Sequence, residues 1–445
     1  MCGCDVYTTV FFYNKLLTLQ QNHYPCCKSE IRMNQYMRNF FKIASFLGVI
    51  LLLNACDSLG LDESAKTRTV LVYIAANNNL SSYSAYNFNQ MCTGMSSVDT
   101  RKNNLLIYLH NTDGAWLIRL NRKSNETVSI DTLKTYSASQ VSTNSDVMLQ
   151  VMKDAFGAYP ADKYGLVLWS HGDGWVQSTT SGEEASASTT KAVTRWFGSE
   201  NGYQMDVTTL KNVLSSSGIP HFQFILFDAC YMQTVEVDYE LKSATDYIIA
   251  SPLEITADGG PYHRVVPFMF ADVSDEEEYV KNIAKVYYAY YHTDEDSNWS
   301  TGVCLSVVNC NQLDNLASAT SSAFSGRTDQ IDTLQTNLKS GVSNLQYFDP
   351  IYSFHSYYDM GDAMSRIAST EAYSTWSTQL SKTIVWNGTE PASTSAYLPY
   401  STLTINKDCG VSMYVPLAIN RITTSWNTFY KTLDWYTAAN MSVFM

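Results

Sequence analysis

Short unbroken apolar runs, each of strand length, alternate along this chain with stretches whose apolar positions recur every three or four residues. The first run, 69–75, reads as a buried strand; it leads into the turn Asn77-Asn78-Asn79-Leu80, and a helical stretch follows toward Met95. A second strand is expected at 104–110, with 115–120 as its hairpin partner. Residues 145–156 read as a helix begun by Asn144 or Ser145. Further strands are expected at 165–170, 222–227 and 246–251, and helices at 205–214, 236–243 and 276–291. The run 302–310 is another strand; more helices follow it, and 410–416 reads as an edge-type strand stopped by Pro416. Strands alternating with helices imply an α/β fold with a mostly parallel sheet and right-handed crossovers. The polar stretch 57–68 reads as a linker, 69–270 as one α/β domain and 271–445 as a C-terminal α/β subdomain. Between Trp175 and Trp196 the chain is low in complexity, rich in Ser, Thr and Ala, and reads as an inserted loop.

The N-terminal segment is of a different kind. Arg38 and Lys42 flank the start of an apolar run, 43–53, that stops at Asn54-Ala55-Cys56. A basic start, a short apolar stretch and small residues at its end make an export signal; a membrane-spanning helix needs about 20 apolar residues. The ending Leu53-Asn54-Ala55-Cys56 resembles a bacterial lipobox, although Asn54 is looser than the usual pattern. That resemblance implies a leader over 1–56, lipid on Cys56 as the new N-terminus, and a location in the cell envelope, on the periplasmic side or at the cell surface. Met33 or Met37 makes a natural start, so 1–32 reads as an upstream extension.

Removing 1–56 takes away five of the 29 Lys and Arg and two of the 42 Asp and Glu, which leaves 24 against 40 and a net charge of −16. Such a surface repels nucleic acid and attracts cationic partners. Five cysteines remain beyond Cys56: Cys92, Cys230, Cys304, Cys310 and Cys409, with no Cys-x-x-Cys and no zinc-type spacing. In an extended strand Cys304 and Cys310 stand about 20 Å apart, beyond disulfide reach, and read as core thiols. The fold must therefore be held by its core.

Two of the runs end in reactive residues. Leu166-Val-Leu-Trp-Ser-His171-Gly172 and Phe224-Ile-Leu-Phe-Asp228-Ala229-Cys230 each carry one partner of a thiol–imidazole pair, 59 positions apart with the His upstream. Neighbouring strands of an open α/β sheet share one crevice at their carboxyl ends, so the two can meet there. An imidazole is the usual means of activating a thiol whose ordinary pKa is about 8.5. Read singly, His171 is a strand-closing His and Cys230 a buried thiol, among the commonest of core residues. His110, His221, His263, His292 and His355 are scattered without ligand spacing.

The pair Trp169-Ser-His171-Gly172-x-Gly174-Trp175 and Asp228-Ala229-Cys230-x-Met232 resembles the clostripain family of cysteine peptidases, and 197–206, Ala250-Ser251-Pro252-x-Glu254 and Tyr358-Asp359-Met360-Gly361-Asp362 also look like family segments. The likeness covers roughly 69–440 and implies a caspase-like three-layer α/β/α sandwich with 69–270 as its catalytic domain. The order and spacing of His and Cys match the caspase arrangement as well. It further implies Cys230 as nucleophile, His171 as acid/base without an obligatory third residue, and an oxyanion hole from the amides of Gly172 and Cys230. Asp228, two residues before the Cys and so expected on the same side, takes the place of the family's Asp at the base of the P1 pocket, which favours Arg or Lys. A cap on the following helix is its structural alternative. Lys191 and Arg195, in the insert, are the candidate processing sites; two solvated loop cations are the alternative.

Two departures bear on specificity. Asn77-Asn78-Asn79-Leu80 stands where the family often has Asp-Asn-Asp-Leu, and Leu253-Glu254-Ile-Thr-Ala-Asp258-Gly-Gly260-Pro-Tyr262 only loosely resembles the family's pocket-wall segment. The expectation is a monomeric endopeptidase that binds peptide or protein, requires no cofactor and binds no nucleic acid. The alternative is a catalytically weak surface lipoprotein that binds peptide or polymer in the same cleft. The acidic run 275–278 reads as a helix start, with calcium as the one ion to consider there because clostripain uses it.

Overall fold

A computed structural model describes residues 66–123, 127–176, 197–293, 303–349, 355–390, 392–394 and 402–445. Near its centre runs a strand whose six residues from Val70 to Ala75 are all fully buried: β1 (Lys66–Ala75). An unbroken apolar strand of this kind needs cover on both faces. The chain supplies it through α1 (Ser81–Met95), β2 (Asn103–Asn111), β3 (Gly114–Arg122), β4 (Val128–Tyr136), α2 (Ser145–Ala158) and β5 (Ala161–Trp169). There follow β6 (Phe197–Glu200), β7 (Tyr203–Met205), α3 (Val207–Leu214), β8 (Phe222–Asp228), α4 (Val235–Leu241) and β9 (Thr245–Ala250). Next come α5 (Tyr262–Met269), α6 (Glu276–Thr293), β10 (Leu305–Asn309), α7 (Leu313–Ala323) and α8 (Thr328–Lys339). The last part holds β11 (Tyr358–Asp359), α9 (Met360–Ile367), α10 (Thr370–Thr383), β12 (Ile384–Gly388), β13 (Ala392–Thr394), β14 (Thr402–Thr404), β15 (Ser412–Met413), α11 (Arg421–Tyr430) and α12 (Asp434–Ala438).

Nine strands form one sheet in the order β12-β10-β9-β8-β5-β1-β2-β3-β4. The five central strands, from β9 to β2, run parallel, and antiparallel strands extend both edges. Alternate residues feed two cores. Leu71, Tyr73, Leu166, Leu168, Ile225 and Phe227 face the layer that includes α2, α3 and α4. Val70, Val72, Ile74, Val167, Trp169, Phe224 and Leu226 face α1, α5 and α6. This is the expected α/β/α sandwich with a mostly parallel sheet, the caspase-like architecture.

Local signals explain most elements. In α2 the buried residues Met148, Val151, Met152, Ala155 and Phe156 recur at helical spacing, and the Asn144 side chain accepts from the amides of Asp146 and Val147. Three expectations need correction. Met205 ends a hairpin strand, so the helix expected from 205 starts only at Val207, after Asp206. The strand expected at 302–310 is shorter, 305–309; Cys304 and Cys310 flank it, both buried and unpaired. Of 410–416 only Ser412–Met413 pairs as a strand, with β11. Among the described residues no helix is long and apolar enough to cross a membrane.

Candidate active site

The strand order changes direction between β1 and β5: from β1 the sheet grows one way through β2, and from β5 the other way through β8. Ligand crevices in open α/β sheets lie at such points, outside the carboxyl ends of the strands. Three exit loops converge there, after β1, β5 and β8. Trp169 pairs with Asp228 in the parallel register of β5 and β8, and the Ser170 amide continues the ladder to the Asp228 carbonyl at 3.4 Å. His171 and Cys230 each lie two residues past this pair, at the ends of adjacent strands.

Gly172 lets these two ends approach. A Cβ there would stand 2.8 Å from both the Ala229 Cβ and the Cys230 carbonyl oxygen, closer than any side chain tolerates. The His171 carbonyl accepts from the Gly198 amide at 2.9 Å, which ties β6 to the His loop. After Cys230 the chain turns sharply: Tyr231 has φ 58°, a left-handed conformation costing about 1–3 kcal/mol that surrounding contacts must sustain. Those contacts are present. The Tyr231 amide donates to the Leu253 carbonyl at 3.0 Å, its hydroxyl to Glu254 at 2.9 Å, and its ring stacks on Tyr357 at 5.2 Å between centroids. Tyr357 in turn donates to the Asp173 carbonyl, closing a brace between the His171 and Cys230 loops.

The Cys230 sulfur accepts from the Ile255 amide at 3.3 Å. Burial, reinforced by the negative charges of Glu254, Asp173 and Asp228, pushes its pKa up to about 12, so the resting thiol is protonated at neutral pH. Burial also lowers the pKa of His171, which favours a neutral imidazole. At neutral pH these shifts favour the neutral form of both the thiol and the imidazole.

Asp228 is enclosed. It is 2% exposed, and its carboxylate accepts from the Gly260 amide at 2.8 Å, the Tyr262 hydroxyl at 2.6 Å and the Tyr287 hydroxyl at 2.9 Å. Burial raises its pKa while these three donors oppose the shift. It points with Phe224 and Leu226 toward α5 and α6, and the alternation that put it on one side with Cys230 stops where the strand ends. The helix-cap alternative also fails, because Thr234 caps α4. Asp228 therefore fastens the 256–262 loop from below. The half-buried carboxylate on that loop is Asp258, its pKa raised by burial.

Sequence reasoning missed Asn79. Its Oδ1 lies 2.7 Å from His171 Nε2, across the point where the sheet changes direction. Cys56, Lys191 and Arg195 lie outside the described residues. The 275–278 run is already engaged: Asp275 accepts from the Glu278 amide, Glu276 meets Lys163, and Glu277 and Glu278 meet Lys281 and Lys285. Lys281 bridges Glu277 and Glu278, so this run is knitted to its own helix. Among the described residues no group of three or more His, Cys, Asp or Glu is placed to hold a metal ion.

Comparison with known proteins agrees with this geometry. The family model of the clostripain family matches residues 72–445. A secreted C11 cysteine protease from Bacteroides thetaiotaomicron, solved in complex with an irreversible peptide inhibitor, is 34% identical, with a TM-score of 0.70 over 84% of this chain and 99% of its own. An inactive zymogen C11 protease from Parabacteroides distasonis is 33% identical, with a TM-score of 0.69 and the same two coverages. Another solved structure of a secreted B. thetaiotaomicron C11 protease, iotapain, is 26% identical, again with a TM-score of 0.69 over 84% of this chain and 99% of its own. None of the curated proteins matches. Adjacent strand ends carrying thiol and imidazole, and a match across nearly the whole described chain, place this protein in the clostripain family of cysteine peptidases.

Proposed function

We propose that the protein is an endopeptidase that cleaves after Arg or Lys through a Cys230/His171 dyad. The observation that carries this reading is the juxtaposition of His171 and Cys230 at the ends of two strands in register, with Gly172 packed against Ala229 and Cys230. In the proposed reaction the Cys230 sulfur attacks the scissile carbonyl and its proton passes to the imidazole. The amides of Gly172 and Cys230 hold the resulting oxyanion. The imidazolium then protonates the leaving amine nitrogen, leaving a thioester that water hydrolyses with His171 as base.

The P1 preference is supported by the acidic surroundings of the thiol, Glu254, Asp173 and Asp228, and by Asp258 on the loop that Asp228 anchors. A cationic side chain entering there meets negative charge, with Asp258 its direct partner and Asp228 a buried counter-charge. Peptide binding in the related B. thetaiotaomicron complex, and the zymogen state of the P. distasonis protein, support a peptide cleft and activation by cutting at Lys191 or Arg195. Export fits the B. thetaiotaomicron structures, which are described as those of a secreted protease. Lipid on Cys56 is a further part of the proposal, checked by mass spectrometry of the mature N-terminus. No cofactor is required in this scheme, so a chelator should leave turnover unchanged.

The experiment is hydrolysis of a fluorogenic P1 peptide library by the parent and by Cys230→Ala. Cys230-dependent turnover at Arg or Lys supports the whole reading, and turnover at other P1 residues keeps the dyad but removes the pocket model. No turnover, even after cutting the insert, favours the peptide-binding lipoprotein, the alternative to which the strongly raised thiol pKa points.

A further inference from the structure

Asn79, His171 and Cys230 come from the exit loops of β1, β5 and β8, three strands that stand side by side in that order. His171 is the middle member, flanked by the thiol's strand on one side and an amide side chain on the other. The amide is held by a specific frame. Asn78 accepts from the Leu80 amide at 2.7 Å and donates to the Ser199 carbonyl at 2.7 Å. The Asn77 amide donates to Glu200 Oε1 at 3.3 Å. Glu200 is fully buried, and its other oxygen accepts from the Ser142 amide at 2.6 Å and lies 3.0 Å from His110 Nδ1. The strand that carries Ser199 and Glu200 also donates, through Gly198, to the His171 carbonyl. One short hairpin thus fixes both the backbone of the His and the loop that carries Asn79.

We propose that Asn79 is the positioning residue for His171: its Oδ1 accepts from Nε2–H, fixes the tautomer with Nδ1 unprotonated, and aims Nδ1 at the Cys230 thiol. The inference rests on His171 being the proton carrier of the proposed dyad. An imidazole with a free hinge at Cβ samples many orientations, and a hydrogen bond to its far nitrogen selects both its direction and which nitrogen is basic. Asn79 is itself exposed, so its replacement leaves the cores intact. A neutral amide at this position orients the ring without adding a charge that would favour the imidazolium. The other charged groups on the elements around His171 are Asp173 on its own turn, Glu200 on β6, Asp228 at the end of β8 and Glu254 beyond β9, and they are common to all variants tested.

The test compares the full chain with Asn79→Ala and Asn79→Asp, using the fluorogenic substrate of the parent across pH, beside His171→Ala and Cys230→Ala. Misaligning a reacting group costs up to about 100-fold. Asn79→Ala is expected to lose 10- to 100-fold in kcat, with KM within about twofold of the parent. Asn79→Asp can only accept, so it is expected to restore most of that loss. Its negative charge stabilises the imidazolium, so the acid limb of kcat/KM should move to higher pH. Parent kcat and an unmoved acid limb in Asn79→Ala overturn the proposal, as does Asn79→Asp falling to the level of Asn79→Ala with its acid limb unmoved. The two readings separate cleanly. Inactive His171→Ala and Cys230→Ala beside an unimpaired Asn79→Ala remove only the role of Asn79, whereas full activity in either of the first two removes the dyad itself.

Discussion

Replacing Glu236 by glutamine tests how the helix behind Cys230 is fastened to the C-terminal segment. Glu236, in the first turn of α4, is fully buried; its Oε1 accepts from the Tyr414 amide at 2.9 Å and from the Tyr430 hydroxyl at 3.2 Å. Its Oε2 has no partner among the described residues. Burial raises the pKa from 4.5 to about 7, against the opposing pull of these donors. The folded protein therefore binds this proton more tightly than the unfolded chain does. Stability must fall as pH rises from about 4.5 to 7, by about 3 kcal/mol for a displacement of this size, and the full penalty applies above 7. Glutamine keeps the acceptor for both donors and cannot ionise. In a Cys230→Ala background, which removes self-digestion, urea unfolding followed by tryptophan fluorescence should show Glu236→Gln within about 1 kcal/mol of its parent at pH 5. At pH 8 it should be the more stable by about 2–3 kcal/mol. Two stability curves that run parallel from pH 5 to 8 would refute the argument, because Glu236 would then be ionised at no cost.

The site makes three further predictions. Gly172→Ala forces its Cβ against Ala229 and the Cys230 carbonyl, so kcat/KM should drop by about 100-fold or more while far-UV circular dichroism stays native; parent activity would show that the loops have room to part. Because the Cys230 pKa is raised to about 12, iodoacetamide labelling of the free enzyme at this residue should keep rising up to about pH 11. A plateau below pH 8 would mean a preformed thiolate. Asp258→Asn should reduce turnover of Arg and Lys substrates by about 10- to 100-fold, the worth of a charge-assisted contact, and spare other P1 residues; an unchanged P1 profile would assign the preference elsewhere.

The placement of His171 and Cys230 at strand ends was legible because each follows an unbroken apolar run, and strand ends are where an α/β sheet builds its crevice. The central strands were legible for the same reason. The β6–β7 hairpin carried a signal that a helix-period reading of Met205 overrode: its turn is Asn201-Gly202, with φ 52° and 83°, the dipeptide favoured by two-residue hairpins. Asn79 was visible only as a departure from a family pattern. Its contact with a residue 92 positions away depends on β1 and β5 being neighbours, which no local pattern encodes. The place of Asp228 at a strand end was legible, but its enclosure depends on Tyr262 and Tyr287 from two later helices. Alternation along an extended segment says nothing about side chains that arrive from elsewhere.

The line of three exit loops has a consequence for biosynthesis. Asn79, His171 and Cys230 are brought together only by β1, β5 and β8 pairing across long stretches of chain, and contacts of such high order form late because loop closure must precede them. The α4 helix behind Cys230 is then held by Glu236 on Tyr414 and Tyr430, 178 and 194 residues further along the chain. A nascent chain that already carries both His171 and Cys230 still lacks the groups that fix one relative to the other. Catalytic competence waits for residues made long after the pair itself, so a cell making this hydrolase is shielded from it while those residues are still to come.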